Sequence, residues 1–405
     1  MTTAANWTRR SVVAGMVGTP VLLLAACSGS GSDGKGSGAS GGSSPVASKA
    51  TVSVTPKDGA TGVDMTTPVT VQVAGGTLDS VTLTGPDGKQ IAGRLSADRS
   101  GWTSTTPLAS SAGYKLAAVT KDTAGTAATS TSAFTTGKPA KTFVGVYTPD
   151  DGVTVGVGMP VSINFNNAIT NKAAVQKAVT VTAEPPVEIV GHWFGDTRLD
   201  FRPQEYWKPG TKVTVTLALK DLQGAPGRFG TQAKSATFTI GRSQTSVADL
   251  GAKQLTVTRD GQVTQQFPIS GGSPEHTTWA GKMVISEKLL QTRMDSRTVN
   301  LGGEYDIADV PHAQRLTTSG TFIHGNYWSV GTFGNENTSH GCIGLHDAKG
   351  ASDPSTPGAK FYNSSLVGDV VQVVNSGDRT VDPANGLNGW NMDWPSWKAG
   401  SAVQA

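Results

Sequence analysis

The sequence predicts a mainly β protein whose folded regions follow an N-terminal targeting segment. Glycine supplies 51 of the 405 residues, and the abundant Thr, Val and Ser favour strands and turns over helices. Segments that alternate Val or Ile with polar residues recur between turns that contain Gly and Pro. A chain of 405 residues is also long enough for two to four domains.

The charge pattern excludes one class of function. Charged residues make up 16% of the chain, the formal net charge is +3, and Lys and Arg form no stripe. Binding of nucleic acid requires concentrated positive charge, so the sequence predicts no nucleic-acid partner.

Residues 1–27 have the features of an export signal rather than of a folded element. Arg9 and Arg10 form a basic start, and an apolar stretch interrupted by Gly and Pro follows. The segment LAAC, residues 24–27, resembles a bacterial lipobox, which implies cleavage before Cys27 and lipidation of its thiol. We therefore expect an exported protein, anchored by lipid to the outer face of the cytoplasmic membrane in the cell-wall space. An ordinary secretory signal with an incidental cysteine is the alternative.

Two modules of similar size follow a flexible linker at residues 28–49, which is rich in Gly and Ser. Residues 56–73 and 149–165 each contain a Pro, an Asp-Gly turn, a Met, a second Pro and then an alternating strand. This repeat predicts two immunoglobulin-like β-sandwich modules, at residues 50–138 and 141–242. A spacer role is the simpler interpretation of the modules, and polymer binding is the alternative.

A third, β-rich domain of catalytic size is predicted at residues 244–375. Residues 255–270 have the pattern of a hairpin with Asp-Gly at its turn, and further strands are predicted at 320–325 and 369–374. One helix is predicted, at about residues 358–366.

The C-terminal tail, residues 376–405, is rich in tryptophan, with Trp390, Trp394 and Trp397 close together. Large aromatic rings are usually buried, so the tail is predicted to pack on the third domain. Binding of a sugar to these rings is the alternative.

Cys342 is one of only two cysteines and lies in the segment SHGCIGL, residues 339–345. A thiol nucleophile needs a base for its proton, backbone N–H groups for an oxyanion, and a glycine that lets the substrate approach. His324 ends an apolar strand 18 residues earlier, and Gly341 permits a tight turn before Cys342. The pattern therefore predicts a cysteine nucleophile with a histidine base.

A His followed by a loop and Ser-His-Gly-Cys resembles the catalytic motif of bacterial L,D-transpeptidases, which form 3→3 cross-links in peptidoglycan. The resemblance covers roughly residues 245–400, and the upstream modules and lipoprotein start resemble the multidomain actinobacterial members. It implies two immunoglobulin-like modules followed by a β-rich L,D-transpeptidase catalytic domain. It also implies an acyltransferase that uses no cofactor and no metal.

The resemblance assigns roles to individual residues. Cys342 matches the nucleophile, His324 the general base and acid, and Gly325 the residue whose backbone carbonyl orients the imidazole. The thiolate is expected to attack the third residue of a tetrapeptide stem, release D-Ala and pass the acyl group to the amine of a second stem. If water takes the acyl group instead, the enzyme is an L,D-carboxypeptidase.

Further matches concern binding. Ser339, His340 and Gly341 match the family's Ser-His-Gly, and the N–H groups of His340, Gly341 and Cys342 are expected to stabilise the oxyanion. Tyr305 matches a tyrosine that lines the acyl-donor pocket, and Trp328 matches an aromatic residue in the loop after the histidine. The partners implied are peptidoglycan stem peptides, as donor and acceptor, and carbapenem-type β-lactams as covalent inhibitors.

One departure from the family concerns the second residue after the nucleophile. Many members have Asn there, whereas this chain has Gly344. A contact made by that side-chain amide is therefore expected to be lost.

Three other interpretations fit the sequence less well. A sortase-like enzyme needs an Arg on a strand after the cysteine, and the sole Arg there, Arg379, has no strand pattern around it. A non-enzymatic, wall-binding lipoprotein is an alternative that the intact His and Cys pair disfavours. A metal site built on the cysteine and nearby histidines lacks a usual zinc spacing. The other histidines, His276, His312 and His346, are expected at the surface or the pocket rim.

Overall fold

The computed structural model describes residues 47–299 and 302–403, and strands dominate it as predicted. The predicted signal segment with Cys27 and nearly all of the predicted linker lie outside the described residues. Within the described ranges, no helix is both long and apolar enough to cross a membrane.

The first module is built from seven strands that share one hydrophobic core around Trp102 and Leu116. One antiparallel sheet has the order β1-β2-β5-β4 and the other β3-β6-β7. The strands are β1 (Thr51–Thr55), β2 (Thr70–Ala74), β3 (Gly76–Thr84), β4 (Gly93–Leu95), β5 (Gly101–Ser104), β6 (Gly113–Asp122) and β7 (Ala127–Thr135). Two sheets around one core agree with the predicted sandwich architecture.

The second module has a larger core, which includes Phe165, Trp193 and Phe238. Its sheets have the strand orders β10-β18-β15-β12, β13-β14-β11-β9 and β16-β17-β8. The elements are β8 (Lys141–Phe143), β9 (Gly145–Thr148), β10 (Thr154–Val155), β11 (Val161–Phe165), α1 (Lys172–Lys177), β12 (Val179–Glu184), β13 (Val190–Phe194), β14 (Arg198–Arg202), β15 (Lys212–Ala218), β16 (Gln223–Ala225), β17 (Arg228–Gly230) and β18 (Ala233–Ile240).

The repeat seen in the sequence corresponds to a shared turn. Gly59 and Gly152, in the two Asp-Gly pairs, have φ values of 73° and 75°, a left-handed conformation that favours glycine. The preceding carboxylates, Asp58 and Asp151, accept backbone N–H groups of β7 and β18 at 2.8 and 2.7 Å. Each module therefore joins its first turn to its last strand in the same way.

The third region is organised around a nine-stranded mixed sheet with the order β22-β27-β19-β20-β21-β26-β25-β24-β23. Its elements are β19 (Gln244–Asp249), β20 (Gln254–Arg259), β21 (Gln262–Ser270), β22 (Gly281–Val284), β23 (Glu287–Asp295), a 3₁₀ turn (Ser296–Val299), β24 (Asp306–Arg315), β25 (Phe322–Asn326), β26 (Ile343–His346), a 3₁₀ turn (Lys349–Ala351), α2 (Pro357–Ser364) and β27 (Val370–Val374). Strands β25 and β26 are parallel neighbours, which positions the candidate site.

The local predictions for this region agree with the structure. Asp260 and Gly261 have φ values of 49° and 81°, as the turn of a two-residue hairpin between β20 and β21 requires. Helix α2 begins at Pro357, and Thr356 caps it by accepting the backbone N–H of Ala359 at 3.3 Å. The short helix α1 was not predicted.

The tail contacts more than the domain on which it was predicted to pack. It contains a 3₁₀ turn (Gly389–Asn391) and α3 (Trp394–Ala399), a second helix that was not predicted. Asn388 and Asn391 accept the backbone N–H groups of Val284 and Lys282 at 2.9 and 2.8 Å, which fixes the tail to β22.

The same tail binds the second module. Trp390 donates its indole N–H to the carbonyl of Gly158 at 2.7 Å, and Trp397 donates to Val190 at 2.9 Å. The guanidinium of Arg202 lies 4.6 and 4.4 Å from the ring centres of Trp390 and Trp397. Tail residues therefore connect the second module to the nine-stranded sheet.

Candidate active site

Two parallel strands bring the predicted nucleophile and base together. His324 on β25 pairs with Gly344 on β26, and Cys342 precedes Gly344 by two residues. Side chains two residues apart along a strand point to the same face. Cys342 and His324 accordingly line one cavity, with a volume of about 170 Å³.

Most of the residues singled out in the sequence reach this cavity, together with others that were not. Tyr305, Trp328, Ser339 and His340 join the pair in its lining. The additional residues that line it come from β21, β23, β24, β25, β26 and the loop before Cys342, and are Ser270, Met294, Ile307, Asn326, Ser329, Thr338 and Gly344. Of these, only Gly344 was singled out in the sequence, as a departure from the family pattern. The other six residues carried no sequence signal, because only the sheet order brings their segments together.

The imidazole of His324 is held in one orientation. Its Nδ1 lies 2.7 Å from the carbonyl oxygen of Gly325, so Nδ1 carries the proton it donates and Nε2 is left as the acceptor. The ring is 6% exposed and stacks on Trp328 at 5.9 Å between centres. Burial lowers the pKa of His324, while the Gly325 carbonyl and the Asp347 carboxylate oppose that shift.

Gly325 is required by close packing. A Cβ at this position would overlap the carboxylate of Asp347, which packs against the backbone of Gly325. That carboxylate lies 2.7 Å from Nδ1 of His312 and accepts the hydroxyl of Thr356 at 2.8 Å. His312 was expected at the surface or rim, and this expectation is wrong: it is 4% exposed, because the Asp347 carboxylate pairs with it in the interior.

The surroundings of Cys342 favour the protonated thiol over the thiolate. Burial raises the pKa of Cys342 to about 11, and the Phe322 backbone N–H and the Arg315 charge offset only part of that rise. The sulfur lies 3.7 Å from the carbonyl oxygen of Gly320, to which the thiol donates. The surroundings of both groups therefore favour their neutral forms, a thiol on Cys342 and an imidazole on His324.

The turn before the nucleophile is fixed by Ser339. Its hydroxyl donates to the Cys342 carbonyl at 2.6 Å and accepts the N–H of Gly341 at 3.2 Å. Gly341 has a φ of 105°, which only glycine adopts without strain. Of the three N–H groups predicted to face an oxyanion, that of Gly341 is thus engaged within the turn.

Tyr305 lies in the wall beside the thiol. The hydroxyl of Ser296 accepts its backbone N–H at 3.2 Å, and its ring centre is 5.0 Å from that of His340. Burial, with the negative charge of Cys342 when ionised, raises the pKa of Tyr305 to about 12. The phenol is therefore neutral and available as a hydrogen-bond donor at neutral pH.

The side-chain amide that Gly344 lacks has a partial substitute in a neighbouring residue. A Cβ at residue 344 would lie 3.5 Å from Nδ2 of Asn326, which lines the same cavity from β25. The side-chain oxygen of Asn326, Oδ1, accepts the N–H groups of Trp328 and Ser329, each at 3.0 Å. The carboxamide of Asn326 therefore lies beside residue 344 of the adjacent strand, where many family members carry an Asn.

Comparisons with known proteins agree with the two kinds of folded region. The bacterial Ig domain family matches residues 60–223, and the L,D-transpeptidase catalytic domain family matches residues 243–362. L,D-transpeptidase 2 of Mycobacterium tuberculosis is 37% identical over 358 residues, covering 87% of this chain and 85% of the relative.

Two further similarities were found. L,D-transpeptidase 5 of Mycobacterium tuberculosis is 35% identical over 356 residues, covering 86% of this chain and 76% of that protein. A solved structure of an L,D-transpeptidase in complex with imipenem aligns with a TM-score of 0.49 at 28% identity, covering 58% of this chain and all of that one (100%).

Proposed function

The chain belongs to the L,D-transpeptidase family, and we propose that Cys342 and His324 perform its acyl transfer between peptidoglycan stem peptides. One observation carries the assignment of these residues. The thiol and the imidazole line one cavity from adjacent parallel strands, with Nε2 of His324 left as the proton acceptor. The product of the proposed reaction is a 3→3 cross-link, formed with release of D-Ala from a tetrapeptide donor.

In the acylation step, Nε2 of His324 takes the thiol proton as the sulfur attacks the carbonyl carbon of the third stem residue. Because the surroundings of both groups favour their neutral forms, we propose that proton transfer accompanies attack instead of preceding it. The C–N bond to D-Ala then breaks, and the imidazolium gives its proton to the departing amine. A thioester on Cys342 and a neutral His324 remain.

In the second step, the side-chain amine of an acceptor stem attacks the thioester. His324 removes the amine proton, the C–S bond breaks, and the proton returns to the sulfur. Attack by water instead yields a tripeptide, which is the carboxypeptidase reaction. The partly apolar cavity, with Met294, Ile307 and Trp328 in its wall, favours acceptors that displace water.

The developing oxyanion is stabilised by backbone N–H groups at the turn before the nucleophile. We assign the amides of His340 and Cys342 to this role, and Ser339 holds the turn through Gly341 and the Cys342 carbonyl. The neutral phenol of Tyr305 and the amide of Asn326 serve as polar contacts for the donor peptide.

The test uses the chain without residues 1–27, which keeps every residue that the structure describes. It is incubated with disaccharide-tetrapeptide, and the products are read by mass spectrometry beside Cys342→Ala. We expect a dimer whose mass lacks one D-Ala, and no dimer from the variant. Tripeptide alone would reassign the enzyme to trimming. No Cys342-dependent product from any stem peptide would favour the wall-binding lipoprotein.

We propose that carbapenems acylate the same cysteine, because their strained lactam carbonyl is an electrophile like the carbonyl of the donor stem peptide. The intact-protein mass should increase by that of the carbapenem in wild type and stay unchanged in Cys342→Ala. An adduct on the variant would place the acylation elsewhere.

A lipid anchor on Cys27 is proposed from the LAAC segment, together with a location on the outer face of the cytoplasmic membrane. Labelled fatty acid should be incorporated into the wild-type chain and not into Cys27→Ser. The variant should leave the membrane fraction. A Cys27→Ser chain that is still labelled and still sediments with membranes would refute the anchor.

A further inference from the structure

Three side chains with metal-binding chemistry meet at the edge of the cavity. They are His276, from the loop between β21 and β22, Glu304, from the segment before β24, and His340, from the turn before Cys342. One ligand atom from each lies within 4.8 Å of the other two. We call these three residues the rim cluster. The proposed acyl transfer does not use His276 or Glu304.

The distances fit a small divalent cation. Nε2 of His340 and Nε2 of His276 lie 3.0 and 3.4 Å from the same oxygen of Glu304. Zinc bonds to imidazole nitrogen and carboxylate oxygen are about 2.0–2.2 Å long, so neighbouring ligand atoms in a tetrahedral site are roughly 3.3 Å apart. A shift of the two imidazole tips by about an ångström or less closes the set around one ion.

The residue types and their exposure also fit. Two imidazoles and one carboxylate form the ligand set of several zinc sites that keep a fourth position open. The side chains are 31% (His276), 46% (Glu304) and 34% (His340) exposed, so an ion can reach them from solvent. With neutral imidazoles, the cluster has one negative charge and attracts a cation.

The rim cluster is supported by its surroundings. The imidazoles of His276 and His340 are 4.8 Å apart, and the ring of Tyr305 lies 5.0 Å from His340. The backbone N–H of His276 donates to Ser273 at 3.0 Å, and Ser273 in turn donates to the carbonyl of Ser339 at 2.8 Å. The backbone segments of the two histidines are thus hydrogen-bonded together before any ion binds.

We propose that His276, Glu304 and His340 form a binding site for a divalent zinc-type ion at the edge of the active-site cavity. This site is distinct from a metal site built on the cysteine, because it uses neither Cys342 nor His324. An ion here bridges His340, in the turn before the nucleophile, and Glu304, which directly precedes Tyr305. It therefore holds the cavity wall closed and slows entry of the donor peptide. That consequence rests on the proposed function, whereas binding of the ion does not.

The test measures binding directly on the chain without residues 1–27. Zn²⁺ is titrated by calorimetry, and Co²⁺ is added as a spectroscopic probe. We expect one equivalent bound, with visible d–d absorption of four-coordinate cobalt and no thiolate-to-cobalt charge-transfer band. Affinity should fall at least about tenfold in Glu304→Gln and in His276→Gln, because each loses one of three ligands.

Matched controls separate ligand loss from general effects. Glu275→Gln removes the acid next to His276 in the sequence and His346→Gln a histidine outside the rim cluster, and both should bind Zn²⁺ like wild type. Equal affinity in wild type and Glu304→Gln, a thiolate band, or the absence of stoichiometric binding would overturn the proposal.

A second readout addresses the consequence for the cavity. Zn²⁺ should slow carbapenem acylation of wild type and EDTA should restore it, whereas His276→Gln should be insensitive to Zn²⁺. If acylation fails in EDTA as well, the assignment of Cys342 has failed and not the metal site. If Zn²⁺ binds but the rate of acylation is unchanged, the ion does not hold the cavity wall closed against entry of the donor.

Discussion

Nδ1 of His312 lies 2.7 Å from Oδ2 of Asp347, and this buried pair packs against the backbone of Gly325, whose carbonyl orients the proposed base. His312 is 4% exposed and the Asp347 side chain 0%, so neither group is solvated. The negative charge of Asp347 also raises the pKa of His324, against the effect of burial. The pair therefore affects the catalytic centre through the backbone of Gly325 and through the pKa of His324.

Asp347→Asn is expected to move the acid limb of the kcat/KM profile to lower pH. The base must be neutral in the free enzyme, and removing the carboxylate lowers the pKa of His324 further, so protonation inactivates the variant only at lower pH. Loss of the charged hydrogen bonds to His312 and Thr356 should lower the free energy of unfolding by about 1.5–3 kcal/mol. pH–rate profiles and denaturant titrations measure both. The exposed Asp353→Asn serves as control, and an unshifted limb would exclude an electrostatic role for Asp347.

Gly325→Ala should be much more damaging than an ordinary surface substitution. The new methyl group overlaps the buried Asp347 carboxylate, and such overpacking costs about 1–3 kcal/mol of stability. Displacing the carbonyl that holds His324 should reduce kcat roughly 100-fold. Gly331→Ala is the matched control, because nothing lies within 4 Å of its Cβ position. Similar kcat values for the two variants would show that the Gly325 carbonyl does not orient the base.

Alkylation of Cys342 in the free enzyme should require alkaline pH. Burial raises the pKa of Cys342 to about 11, so the rate with iodoacetamide should rise tenfold per pH unit from neutrality, in EDTA. The unfolded chain, with a thiol pKa near 8.5, should level off much earlier. Because the folded pKa is the higher one, this thiol's stabilising contribution is complete below about pH 8.5 and is lost as pH rises toward 11. A half-maximal rate near pH 8.5 in folded protein would contradict a raised pKa of Cys342.

Two tryptophan substitutions should separate stability from activity. Trp397 is fully buried between the tail and the second module, so Trp397→Ala should lower the free energy of unfolding by about 3–5 kcal/mol. Trp328 is 40% exposed and stacks on His324, so Trp328→Ala should change the melting temperature little and reduce acylation. Calorimetry and carbapenem acylation rates measure the two effects. The assignments would be reversed if Trp328→Ala unfolded the domain and Trp397→Ala left its melting temperature unchanged.

Local sequence patterns predicted the parts of the fold that local physics determines. An apolar segment predicted the strand that carries His324, and Asp260-Gly261 predicted a hairpin because both residues adopt positive φ. The Ser-His-Gly-Cys segment singled out the nucleophile, since few other contexts explain a cysteine between glycines.

Contacts between residues far apart in the chain could not be predicted from the sequence. His312 and Asp347 are 35 residues apart and become partners only through the sheet order, so the sequence could not distinguish a buried histidine from one at the rim. Asn326 beside Gly344 was likewise hidden, because two parallel strands had to be aligned residue by residue. The short helices α1 and α3 have six residues each, too few for a periodic pattern to predict them.

The junction around Arg202 has a consequence for the order of folding. The tryptophans that cover this part of the second module, Trp390 and Trp397, are synthesised after every strand of the catalytic sheet. As the chain is synthesised from its N-terminus, the second module can complete its own core while this patch is still uncovered. Docking of the tail therefore comes last, and an incompletely synthesised chain leaves an aromatic-binding surface of the second module exposed to chaperones and proteases.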